Sequence, residues 1–70
     1  MDRDLVSSSN IMSAGYDADN ETLEIEFTGG AVYQYYNVNT HLYEQFTGAA
    51  SKGQFFNANI KNSFPFSRVG

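Results

Sequence analysis

The chain has 70 residues, no cysteine and no tryptophan, and its eight acidic against four basic side chains give a formal charge of −4. One small domain fits this length and two do not, and since such a domain buries only about 60% of its unfolded surface, the core must be thin. Without cysteine there are no disulfides or thiolate metal sites, and the single His41 leaves too few nitrogen ligands for a structural zinc.

What remains to support a thin core is aromatic bulk, six Phe and five Tyr, with oligomerisation as a further aid. Residues 1–8 are polar and are expected to be loose. Met1-Asp2-Arg3-Asp4 offers neither a basic start nor an apolar run, so no secretory signal is expected. Nothing approaches the ~20 apolar residues of a membrane helix, so no membrane partner and a cytoplasmic location are expected. A first strand is read over Asn10–Tyr16, with Ile11 inward. Asp17, Ala18, Asp19 and Asn20 form a turn, because Asp and Asn side chains satisfy nearby backbone N–H groups. Asp17 and Asp19 lack the later oxygen ligands and closing Glu of a calcium loop, and no metal is expected. Thr22–Phe27 alternates apolar and polar with period two, the pattern of a half-buried antiparallel strand.

Gly29 and Gly30 supply the positive φ values of a hairpin turn, and a third strand follows over Ala31–Tyr36. If these glycines are the two turn residues, Glu26 pairs with Tyr33 and Glu24 with Tyr35. Both tyrosines then lie opposite the face of Leu23, Ile25 and Phe27, beside two glutamates. A three-residue loop with a bulge would shift the pairing by one and turn both rings into the core; the two-residue register is the one expected. Asn39 caps a short helix carrying Leu42, Tyr43 and Phe46, which Gly48 ends. Ser51 to Gln54 form a capping box opening a second helix with Phe55, Phe56 and Ile60 on its buried side. That helix should end near Asn62, because Pro65 biases Phe64 away from helix. The expected class is α+β with order β-β-β-α-α: a three-stranded antiparallel meander covered on one face by two short helices. One domain should span residues 9–66, with residues 67–70 as a tail.

The residues resemble the KTSC domain, a short module found alone in bacterial proteins and at the C-terminus of some lysyl-tRNA synthetases. The likeness runs from about Ser8 to Phe64. It rests on an ordered set: Ser8 or Ser9 with Ile11; Gly15-Tyr16-Asp17; Leu23, Ile25 and Phe27; Tyr33-Gln34-Tyr35; Ala49 or Ala50 with Ser51-Lys52-Gly53; and Phe56-Asn57 with Ile60. Asn39 stands where the family often has Pro, and both residues suit a helix start. The resemblance implies the fold more strongly than a function, for which RNA binding is the natural suggestion.

The charge is unevenly spread. Residues 1–44 hold all eight acids and Arg3, net −7, whereas residues 45–70 hold Lys52, Lys61 and Arg68 and no acid, net +3. A basic C-terminal half is compatible with an anionic partner despite the overall acidity. Ser51, Lys52 and Gly53 place a hydroxyl, a cation and backbone N–H groups at a helix start, where one phosphate would fit; capping alone also explains Ser51 and Gln54. Lys61 and Arg68 extend the basic path, with Asn57, Asn59 and Asn62 available to base edges or sugar. Tyr33, Tyr35 and Tyr36 resemble a stacking platform, although the bland reading is core or subunit-interface mass.

His41 has no nearby nucleophile or carboxylate, the serines Ser7–Ser9 lack an elbow motif, and Gly29-Gly30 precedes a strand where a phosphate loop would precede a helix. No catalytic residue and no cofactor is expected. The function expected is a non-catalytic accessory module that binds RNA through Ser51–Gly53, Asn57, Lys61 and Arg68. The alternative is a homodimeric protein-interaction module joined through the Tyr-rich strand.

Overall fold

Alternation over Thr22–Phe27 builds the central strand of the molecule. The computed structural model describes residues Met1–Gly70. Its elements are β1 (Asp4–Leu5), β2 (Ile11–Asp17), β3 (Thr22–Phe27), β4 (Val32–Tyr35), α1 (Thr40–Gly48), α2 (Lys52–Asn59) and β5 (Phe66–Arg68). The strands form one antiparallel sheet in the order β1-β2-β3-β4-β5. The α+β class agrees with the sequence reading, but the sheet has five strands where three were expected.

The two additional strands lie at the sheet edges. Asp4 and Leu5, in the segment expected to be loose, pair with Ala14 and Ser13. Phe66–Arg68 pairs with Tyr33–Tyr35, and the segment expected as a tail continues the edge: Val69 and Gly70 N–H both donate to the Val32 carbonyl, at 2.8 and 3.1 Å. Two and three residues are too few for a period-two pattern to register.

The β2–β3 turn forms as read: the Asp17 carboxylate accepts from the N–H groups of Asp19 and Asn20 and from the Asn20 amide. Between Ile11 and Ser13 the register shifts, so a bulge at Met12 lets Ile11 and Ala14, three residues apart, share one face. That face also carries Leu23 and Ile25.

The β3–β4 register corrects the one expected. Ile25 pairs with Tyr33 and Leu23 with Tyr35, placing both tyrosines on the core face with the aliphatic residues. The cause is a three-residue loop, Thr28-Gly29-Gly30. Phe27 N–H donates to the Ala31 carbonyl at 2.8 Å and Gly30 N–H returns to the Phe27 carbonyl at 3.0 Å. Both glycines have positive φ, 105° and 100°. A one-residue slip exchanges the two faces of a strand, and the register adopted is the one that buries the rings.

Both helices start where their caps predict. Leu42 N–H donates to Asn39 Oδ1 at 2.8 Å, and Gln54 N–H to Ser51 Oγ at 3.3 Å. α2 stops at Asn59, three residues before the expected end, and residues 60–63 continue as turns. The helices lie on the core face, where Phe46, Phe56, Ile60 and Val38 are buried with Ile11, Leu23, Ile25 and Tyr35. Tyr43 of α1 stacks on Tyr16 of β2 with ring centroids 4.3 Å apart, and the Tyr16 hydroxyl donates to the Val38 carbonyl. The opposite sheet face is polar and holds Glu24, Glu26, Gln34 and Ser13. No helix is long and apolar enough to cross a membrane.

Candidate functional site

The register that buries the tyrosines also builds a groove. Between α2 and the β4–β5 edge lies a depression of about 420 Å³, lined by the rings of Phe27, Tyr33, Tyr35, Phe56 and Phe66, the amides of Asn10, Asn57 and Asn62, and Lys61, with Ala31 at one end.

Each wall has a local cause. Period two along β4 turns Tyr33 and Tyr35 to the same side, and antiparallel pairing sets Phe66 opposite Tyr35. The Phe66 ring lies 5.6 Å from Tyr35 and 5.9 Å from Tyr33, centroid to centroid. From α2, Phe56 meets Tyr35 edge-on at 5.1 Å and Phe27 at 5.6 Å. Tyr35 and Phe56 are buried and form the floor, whereas Phe66 is 56% exposed and forms the open wall. Burial, together with the neighbouring Tyr33, pushes the Tyr35 phenol above its ordinary pKa, so the floor stays uncharged even in moderately alkaline solution.

The rim is polar and singly charged. Asn57, Lys61 and Asn62 are exposed, and both ion pairs of the molecule belong to Arg3, which leaves Lys61 unpaired. No acidic residue lines the groove. Glu24 and Glu26, which the expected register set beside the tyrosines, project from the other sheet face. There Arg3 Nη1 donates to Glu24 Oε2 at 2.5 Å, Arg3 Nε to Ser13 Oγ at 2.9 Å and Gln34 Nε2 to Glu24 Oε1 at 3.0 Å.

Of the residues singled out from sequence, Tyr33, Tyr35, Asn57, Lys61 and Asn62 come together here. Ser51, Lys52 and Gly53 sit at the far end of α2, and their groups are engaged within the chain. Ser51 Oγ caps Gln54, Lys52 Nζ donates to the Ala49 carbonyl at 3.4 Å, and Gly53 is buried beside Ser8 Oγ and Asn10 Oδ1. Arg68 lies opposite Tyr33 on β5 but turns its Nε to the Gly70 carbonyl at 2.8 Å. Tyr36 leaves the groove for the other face, where its hydroxyl bonds Gln34 Oε1 and Ser67 Oγ.

Sequence reasoning missed Phe66, Asn10 and the groove-lining role of Phe27 and Phe56. Pro65, which biases Phe64 away from helix and so ends the helical segment before Phe66, was the available signal for extended chain over β5.

Residues 7–64 match the KTSC domain. The chain belongs to the KTSC family. Among its relatives, a protein of Tsukamurella paurometabola is 42% identical over 59 residues, which cover 84% of this chain and 88% of that one. A lysine–tRNA ligase of Nostoc punctiforme is 41% identical over 61 residues, 87% of this chain but 11% of the ligase. The KTSC match thus accounts for a small part of the synthetase. The crystal structure of a KTSC domain protein from Yersinia pestis superimposes with a TM-score of 0.92 at 46% identity, covering 99% of this chain and 97% of that one.

Proposed function

We propose that this KTSC domain is a non-catalytic accessory module that binds single-stranded RNA in the groove between α2 and the β4–β5 edge. The observation that carries the reading is one juxtaposition: half-buried and exposed rings, three amides and one unpaired lysine share a concave surface that no acid lines. Unpaired bases are recognised by stacking on aromatic side chains and by polar groups reaching their edges, with cations on the phosphates. With the tyrosines on the core face, Glu24 and Glu26 lie across the sheet from the rings, so neither carboxylate stands beside a phosphate held in the groove. Relatives that include lysine–tRNA ligases agree with an RNA partner.

Titration of isotopically labelled protein with a single-stranded hexanucleotide tests the reading. Shifts are expected at Tyr33, Asn57, Lys61 and Phe66, weakening as salt rises and lost in Phe66→Ala. Absence of shifts at high micromolar RNA would overturn it.

A second reading, homodimerisation, draws on Phe66 and Val69, 56% and 51% exposed along the β5 edge. Tyr35 is 4% exposed within its own chain, so its substitution would probe the core. Sedimentation of wild type against Phe66→Ala is the cleaner comparison: a dimer lost in the variant favours this reading, and a monomeric wild type refutes it.

A further inference from the structure

The groove is small, one-sided and singly charged, and these properties limit how much of a strand it can hold. Its volume of about 420 Å³ lies near the low end of the ~300–1,000 Å³ that enclose one small ligand. The three rings of the lining that are not buried, Phe27, Tyr33 and Phe66, are already in contact in series: the Tyr33 centroid lies 5.6 Å from Phe27 and 5.9 Å from Phe66, with planes at 78° and 47°. A base inserted between either pair would need two stacking contacts of ~3.5 Å each, which these separations and tilts do not provide. One base can therefore lie against the open wall, and a ladder of bases cannot form.

The charges set the same limit. Lys61 is the one cation on the lining. Lys52 lies at the start of α2, Arg3 is held by Glu24 on the opposite sheet face, and Arg68, across from Tyr33 but outside the lining, bends its Nε back to the Gly70 carbonyl. One cation matches one phosphate. Asn10, Asn57 and Asn62 add both donors and acceptors, which is what the edge of a single base or its sugar requires.

We propose that the groove is a mononucleotide site: one base against Phe66 and Tyr33, amide contacts from Asn57 and Asn62, and one phosphate on Lys61. A nucleoside monophosphate is then a complete ligand, and a strand is held by one unpaired nucleotide with its neighbours outside. The inference rests on the RNA reading of the same groove.

Adenosine monophosphate, adenosine, inorganic phosphate and an adenine hexanucleotide, each titrated into labelled protein, test it. The monophosphate should shift the same resonances in the same direction as the hexanucleotide and compete with it, with adenosine weaker and inorganic phosphate moving Lys61 alone. With one phosphate contacted, log K for the hexanucleotide should fall by about 0.7 per decade of salt. Lys61→Gln, an exposed substitution, should weaken the monophosphate by about tenfold and leave adenosine unchanged. Hexanucleotide binding with a salt slope of several charges and no response to the monophosphate would overturn the mononucleotide site while leaving the RNA reading standing. A response to the monophosphate alone would uphold the site and overturn the RNA reading. Silence from both would overturn both.

Discussion

Arg3 is the one basic residue in the acidic half of the chain, and it organises the sheet face that the helices leave open. Glu24 is only 8% exposed there. Burial alone would push its carboxyl up, but hydrogen bonds from Gln34 and Arg3, with the Arg3 charge, outweigh that and hold it below the ordinary 4.5. A depressed carboxyl stabilises the fold above its unfolded pKa and loses that contribution as pH falls through its folded value. Arg3→Ala should therefore cost about 1–3 kcal/mol at pH 7, and clearly less at pH 3, by urea unfolding. An equal loss at both pH values would show that the carboxylate is not the source. Gly15 is part of the same arrangement, because a Cβ at that position would strike the Asp2 carbonyl and touch Arg3 Cγ. Gly15→Ala is expected to lift the N-terminal segment and break the Arg3–Glu24 contact. The double variant with Arg3→Ala should lose less stability than the sum of the singles, since both remove one interaction.

At the scale of elements, the β3–β4 hairpin determines what the molecule presents. Gly29 and Gly30 have open space where a Cβ would go, so their constraint is conformational alone. Gly29→Ala should cost about 1–2 kcal/mol, measured by urea unfolding; an unchanged midpoint would mean that the turn relaxes to negative φ. Asn39 and Ser51 were legible as helix starts because a cap is decided within three residues. The hairpin register was not legible, because it turns on whether Thr28 belongs to the loop, and Gly-Gly suits either length. What decides it is the burial of Tyr35 against Phe56, which lies 21 residues beyond it in the chain. The groove was half legible for a related reason. Asn57 and Lys61 were marked by charge and type, whereas Phe66 joins them through a three-residue edge strand with no pattern of its own.

For the molecule as a whole, thinness of the core proves compatible with closure in one chain. The radius of gyration is 10.7 Å, against about 11 Å expected for a compact domain of this length. Nine hydrophobic residues form the buried cluster, with Phe46 and Phe56 each about 1% exposed. Stability at ~0.05–0.15 kcal/mol per residue amounts to roughly 4–10 kcal/mol here, so the ~3–5 kcal/mol typical of a buried Phe→Ala change is a large share. Phe46→Ala should lower the thermal midpoint by ~12 °C or more, with a small shift marking a site that collapses around the loss. The strand order carries a kinetic consequence. From β1 to β4 every strand pairs with its neighbour in sequence across a short turn, whereas β5 must close a loop from Tyr35 to Phe66 that contains both helices. Loop closure of that length carries the largest entropic cost in the sheet. The β4–β5 ladder is therefore expected to zip after the folding barrier, so substitutions on its exposed positions should speed unfolding and leave the folding rate nearly unchanged. The open wall of the groove is then the last part of the domain to assemble and the first to come apart.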